Sequence, residues 1–148
     1  MEKNIRLKAT KEKSLQRFHP WIFSGAIKSA SPGLMNGDVV TVLNNKERIL
    51  GKAHFSNGSI AGRMLSFDYV DIDQSFWNNR IAAAYELRKN IGLINNAETN
   101  IFRLVHAEGD HLPGLIVDFY NGTAIVQCHS IGMHRAISSI TEALLQTT

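Results

Sequence analysis

The densest run of residues able to do chemistry is Arg103-Leu104-Val105-His106-Ala107-Glu108-Gly109-Asp110-His111-Leu112-Pro113-Gly114-Leu115-Ile116-Val117-Asp118. Three uses are open to it. Glu108 and Asp110 could act as a general acid and base. His106, Glu108, Asp110 and His111 are all metal-ligating types. Alternatively, Gly109, Pro113 and Gly114 punctuate a rigid corner, with an aspartate that hydrogen-bonds its own loop backbone. The corner accounts best for the turn residues. A metal site is not expected, because His106 and His111 lack the spacing of a helical pair and no other cluster supplies the remaining ligands. His129 and His134 are expected to be structural or exposed.

A second group lies near the start. Residues 1–20 carry Lys3, Arg6, Lys8, Lys11, Lys13 and Arg17 against Glu2 and Glu12, a local excess of +4 in a chain whose net charge is +3. The positive charge of the protein is therefore concentrated there, and the rest is close to balanced. His19-Pro20-Trp21-Ile22-Phe23-Ser24-Gly25-Ala26-Ile27 follows directly. Cations that neutralise phosphates beside rings that stack on bases suit RNA. The simpler expectation for Trp21, Ile22 and Phe23 is burial in a core, and for the charge a solvated face. Gly51-Lys52-Ala53-His54 and Gly62-Arg63 set cations beside strand glycines, where a neighbouring strand or a nucleic-acid backbone could approach closely.

Several signatures are missing from the sequence: no P-loop, no G-x-S-x-G elbow, and no G-x-G-x-x-G after a strand. The single cysteine, Cys128, excludes an internal disulfide and a multi-thiolate metal site. No apolar run approaches a membrane span and the first residues do not read as a signal peptide, so a soluble cytoplasmic protein is expected.

These residues must be positioned by an ordinary packed core, since 44% of the chain is hydrophobic and 20% charged. Alternation predicts strands over 4–9, 38–43, 48–55 and 59–65, with a short basic helix over 11–18 and an Asn57-Gly58 hairpin signal. Many short strands within about 70 residues suggest a small β-barrel or curled sheet. After Asp73, a candidate cap, helical spacing of Phe76, Trp77, Ile81, Ala84, Tyr85, Leu87, Ile91 and Ile94 predicts one long helix over 74–94. Strands over 102–106, 115–119 and 124–129 follow, the last two joined at Asn121-Gly122. A closing helix, with Ser130 as its cap, carries Met133, Ile137, Ile140 and Leu144 on one face. The class is α+β.

Taken together, His19-Pro20-Trp21-Ile22-Phe23-Ser24-Gly25, Gly37-Asp38-Val39-Val40 and the 103–118 run closely resemble a family of bacterial S-adenosylmethionine-dependent ribosomal RNA methyltransferases. The resemblance spans nearly the whole chain. Known members methylate cytosine at carbon 5 in large-subunit ribosomal RNA. The resemblance implies a PUA-like RNA-binding β pseudobarrel over 1–72 and a small central α+β domain over 73–148. The Rossmann-like methyltransferase domain would be absent, the chain being truncated before it. On this basis S-adenosyl-L-methionine belongs to the full-length protein and is not expected to bind this chain, which holds no catalytic residue; Cys128, upstream of the catalytic motif, is not the nucleophile. At position 111, where many relatives would have glycine, this chain has histidine.

The expected partner is ribosomal RNA, with no membrane and no metal; oligomeric state, including a homodimer, stays open. Lys8, Lys11, Lys13, Arg17, His19, Lys52 and Arg63 are the expected RNA contacts, with Trp21 as stacking or core residue. Arg103, Glu108 and Asp110 would belong to a loop that sets the central domain against the catalytic domain or lines the target-base cleft. Two rivals are retained: a protein-interaction module without RNA binding, and a small acid/base enzyme using Glu108 and Asp110.

Overall fold

A computed structural model describes residues 2–148. The chain divides into two compact units, one ending at Asp71 and the other spanning Ile72–Thr148. In the first unit, β1 (Asn4–Leu7), a one-turn helix α1 (Lys13–Gln16), β2 (Trp21–Phe23), β3 (Ile27–Ala30), β4 (Val39–Leu43), β5 (Ile49–Phe55) and β6 (Ile60–Ser66) follow in sequence. The six strands form one mixed sheet in the order β2-β6-β5-β4-β1-β3. Among the described residues only the β1–β4 pair is parallel, with Ile5 opposite Val42. Ile5, Leu7, Leu15, Ile22, Val40, Val42, Ala53 and Met64 make the core. In β1 the buried residues alternate as the period-2 pattern requires.

β2 and β3 were not foreseen, because three- and four-residue strands are too short to display a period. The predicted helix over 11–18 contracts to a single turn: Phe18 takes a left-handed φ of +61° and its ring is 71% exposed. Gly51 explains a close approach. Its φ is +145°, and a Cβ there would sit 2.1 Å from the Ser66 carbonyl oxygen on β6, so the glycine meets a neighbouring strand.

The second unit begins with α2 (Gln74–Asn90), whose Asp73 cap accepts the Phe76 N–H at 3.0 Å. The helix stops four residues short of the predicted position 94. Gly92, at φ +82°, donates to the Lys89 carbonyl at 3.1 Å, and Leu93 donates to the Arg88 carbonyl at 2.9 Å. This pair of bonds is a Schellman stop. Leu87 and Ile91, expected on the buried face, are 48% and 63% exposed. The buried stripe runs Trp77, Ile81, Ala84 and then Arg88.

β7 (Ile101–His106), β8 (Leu115–Tyr120) and β9 (Thr123–Cys128) form an antiparallel meander. Asn121 and Gly122 both have positive φ, as a two-residue hairpin turn demands. The predicted closing helix is two: α3 (Ile131–Arg135), capped by Ser130 accepting from the Met133 N–H, and α4 (Ile137–Thr147). Between them, the Ala136 N–H tightens onto the Gly132 and Met133 carbonyls, both at 3.2 Å. Met133, Ile140, Ala143 and Leu144 are buried. No helix among the described residues is long and apolar enough to cross a membrane.

Candidate nucleic-acid interface

The first constellation gathers at α1 and β2. Buried Leu15 anchors the single helical turn to the core, which leaves Lys11, Lys13 and Arg17 exposed around it. The chain then reverses: the Phe18 N–H bonds to the Leu15 carbonyl at 2.9 Å and the His19 N–H to the Ser14 carbonyl at 3.0 Å. The Trp21 N–H donates to His19 Nδ1 at 3.2 Å, which fixes that nitrogen as an acceptor. Along β2 the side chains alternate. Ile22 is buried, Trp21 is half-buried and Phe23 is 53% exposed. The expectation of three core residues therefore holds for Ile22 alone.

Outside, the rings form an edge-to-face run. His19 and Trp21 have centroids 5.9 Å apart at 83°, and Trp21 and Phe23 are 6.4 Å apart at 86°. Beside them is a cavity of about 310 Å³ lined by Lys11, Ser14, Trp21, Phe23 and Gly25 over an apolar floor that includes Leu15 and Ile22. An aromatic wall, an apolar floor and a cation at one side can receive a flat ring carrying an anion.

The second constellation is the 103–118 run. Arg88 reaches from the buried stripe of α2 to the corner after β7. Its guanidinium binds both Asp110 oxygens, Nη2 to Oδ2 at 2.9 Å and Nη1 to Oδ1 closer still, while Nε donates to the Arg103 carbonyl at 2.9 Å. Asp110 Oδ2 also accepts the His106 N–H at 2.6 Å. This clamp holds a 3-10 turn, Ala107–Asp110, whose first residue and whose C-cap are both non-glycine residues at positive φ: Ala107 at +45° and His111 at +58°. The histidine that replaces an expected glycine thus occupies a conformation that favours glycine.

The Arg103 side chain lies outside the clamp. It pairs with Asp118 across the β7–β8 register, at 2.8 and 3.2 Å. That hydrogen-bonded pairing raises the Arg103 pKa and lowers that of Asp118. Glu108 is half-buried on the turn. The acid/base pair is not what this geometry builds, since the Asp110 carboxylate is 8% exposed and closed on by a guanidinium and a backbone N–H. Among the described residues, no group of three or more His, Cys, Asp or Glu stands together to hold a metal. Burial raises the Cys128 pKa and keeps the thiol protonated.

The first constellation lies within a stretch that is similar to a known domain. Residues 5–67 match the PUA-like domain. The chain is 38% identical over 98% of its length to the ribosomal RNA large subunit methyltransferase I of Pseudoalteromonas translucida, and covers 37% of that protein. The protein of the same description from Vibrio cholerae is 35% identical, over 95% of this chain and 35% of its own length. The chain thus spans about a third of the length of these relatives. Its fold recurs in a candidate SAM-dependent methyltransferase from Streptococcus mutans, with TM-score 0.81 and 22% identity over 97% of this chain and 38% of that one. SMU.776, a candidate methyltransferase solved with SAH, gives TM-score 0.81 at 20% identity, over 99% of this chain and 37% of that one.

Within the PUA-like unit, the expected RNA contacts separate. Lys11 and Trp21 line one groove and His19 packs on Trp21, whereas Lys13 and Arg17 are exposed on α1 and at its C-cap, outside the groove lining. Lys8 is exposed after β1, its N–H bonded to the Ala26 carbonyl at 2.8 Å, and Arg63 faces Trp21 across the β2–β6 register. Lys52 requires correction. It is 9% exposed, donates to Glu2 at 2.7 Å and lies 4.6 Å from the Tyr69 ring centre. Hydrogen bonds from Lys52 and from Thr41 lower the Glu2 pKa to about 2. A lysine committed in this way is structural. Conversely, Phe23 and Gly25 line the groove although neither was expected there. Three residues are too few to show the period that, once β2 forms with Ile22 inward, turns its two neighbours outward.

Proposed function

We propose that this chain is the RNA-gripping part of a ribosomal RNA methyltransferase, holding the RNA for methylation of a cytosine at carbon 5 by a domain outside these residues. The carrying observation is the α1–β2 surface, where Lys11 lines a groove with Trp21 and Phe23, His19 packs on Trp21, and Lys13 and Arg17 are exposed on α1 and at its C-cap. Likeness to relatives described as large-subunit ribosomal RNA methyltransferases supports the choice of RNA.

S-adenosylmethionine is assigned outside these residues, where it would supply the methyl group. The strand-to-helix turn after β9 is closed by its own Ser130 cap and followed by a five-residue helix, which offers no glycine-rich cradle. What the present residues do is bind and orient. Lys8 and Arg63 extend the contact with phosphate and ribose, and the clamped turn with Arg103, Glu108 and Asp110 is assigned to the target-base cleft or the contact with the catalytic domain. The working compartment is the cytoplasm.

The test is binding of structured ribosomal RNA fragments at several salt concentrations, with duplex DNA as control. Replacing Lys11, Lys13 and Arg17 together by Ala should weaken binding and reduce the slope of log affinity against log salt by roughly 2 to 3, from about 0.7–0.9 per lost phosphate contact. An unchanged slope overturns the assignment.

A further inference from the structure

We infer that the turn between β4 and β5 is a second phosphate-binding surface, separate from the α1–β2 groove, against which the backbone of a bound RNA lies. The inference rests on the RNA-binding function proposed above and adds a contact that function does not include. Cations from three separate stretches of sequence meet at this turn. Lys28 of β3 reaches across to Asn45, Nζ to Oδ1 at 3.0 Å. Arg6 of β1 is ion-paired through Nη2 with Glu47, the one carboxylate in the turn. Lys46 and Arg48 are exposed on the turn itself, and neither side chain has an ion-pair or hydrogen-bond partner among the described residues. With Glu47 held by Arg6, nothing offsets the charge of Lys28, Lys46 and Arg48.

The backbone beneath these cations is fixed from inside. Asn44 is 9% exposed, and its Oδ1 accepts the Lys46 and Arg48 N–H groups, both at 2.9 Å. Its own N–H donates to the Arg48 carbonyl at 2.9 Å, and Glu47 completes the reversal at a left-handed φ of +64°. A turn ordered in advance has little backbone freedom to lose on binding. The surface also continues from the groove. Ala26, which lines the groove, accepts the Lys8 N–H at 2.8 Å, and Lys28 follows two residues later on β3, the last strand in the sheet order. A phosphate chain following this edge meets Lys8, then Lys28, then Lys46 and Arg48. Between Leu43 and Leu50 only Ile49 exposes a large apolar side chain, too little to enter a bilayer or to form the apolar centre of a protein interface. Cations without an apolar centre fit a regularly charged polymer, bound through release of its counterions.

The experiment measures affinity for a ribosomal RNA stem-loop with a single-stranded tail over a series of salt concentrations. Four proteins are compared: the parent, Lys46→Ala with Arg48→Ala, the charge-preserving pair Lys46→Arg with Arg48→Lys, and Lys89→Ala with Arg135→Ala. The last removes the same charge from exposed positions of the second unit. Alanine at 46 and 48 should reduce the slope of log affinity against log salt by at least about 1, two lost phosphate contacts being worth roughly 1.4–1.8. The charge-preserving pair and the second-unit pair should keep the parent slope. Since Lys46 and Arg48 are exposed, their alanine variant should unfold in urea with the parent, which separates a lost contact from a lost fold. A smaller fall in slope, an equal fall from the second-unit pair, or a slope lost in the charge-preserving pair overturns the inference and leaves the RNA-binding function to stand on Lys11, Lys13 and Arg17. Failure of the parent to bind the RNA overturns both.

Discussion

Arg88 and Lys11 are both cations, but the fold treats them oppositely. Arg88 is 8% exposed, and its guanidinium is closed on by Asp110 and the Arg103 carbonyl. Lys11 is exposed, on the wall of a groove framed by aromatic rings. Lys52 sides with Arg88, held by Glu2 and covered by Tyr69. A cation with a buried protein partner organises backbone, and one that is exposed on the wall of a cavity is available to a ligand. Net charge along the chain cannot separate the two; the location of each partner can.

The largest effect should come from the buried pair. Arg88→Met or Asp110→Ala leaves one charge buried and unpaired, which costs roughly 3–5 kcal/mol of stability. Urea denaturation of each variant measures this. The double variant Arg88→Met, Asp110→Leu should recover part of the loss. Recovery stays incomplete, because the His106 N–H and the Arg103 carbonyl lose their partners as well, at roughly 1–3 kcal/mol for each such buried group. A single variant within about 1 kcal/mol of the parent would show that the clamp does not hold the strained turn.

Next in size are the groove cations. Exposed side chains with no buried partner should each change stability by no more than about 0.5 kcal/mol. Lys11→Ala, Lys13→Ala and Arg17→Ala should accordingly unfold with the parent in urea while weakening RNA binding, the reverse of Arg88→Met. Loss of stability in the lysine variants would place them in the structural class and dissolve the contrast.

The same contrast marks what was legible in the sequence. Strands β4, β5 and β6 and the start of α2 at Asp73 follow from alternation and capping, which are local properties. Arg88 was not legible. A charged residue inside an apolar helical stripe reads as a solvent-facing one, and its partner lies 22 positions away. The Lys52–Glu2 pair spans 50 positions, so nothing in either neighbourhood announces it. The end of α2 could have been read, since Gly92 stands where a left-handed C′ residue belongs. In the groove, Lys11 and Trp21 were legible from type and proximity. Phe23 was hidden because a run of three apolar residues reads as core, and β2 is too short to announce that its side chains alternate.

The smallest predicted effect concerns Glu2, and its sign follows from the direction of the shift. Hydrogen bonds from Lys52 and Thr41 lower its pKa from 4.5 to about 2 in the folded state. The folded protein therefore binds this proton less readily than the unfolded chain. The resulting stability is fully present above about pH 4.5 and is lost as the pH falls toward about 2. Since the Glu2 side chain is half exposed, solvent and salt screen much of the interaction. Comparison of the parent with Glu2→Gln in urea isolates the group from Asp118, whose pKa is also lowered. The parent should be the more stable at pH 6, and the difference should shrink at pH 2.5 and in high salt. A difference independent of pH would mean that Lys52 is held by burial and the Tyr69 ring, and that its contrast with Lys11 rests on packing instead of charge.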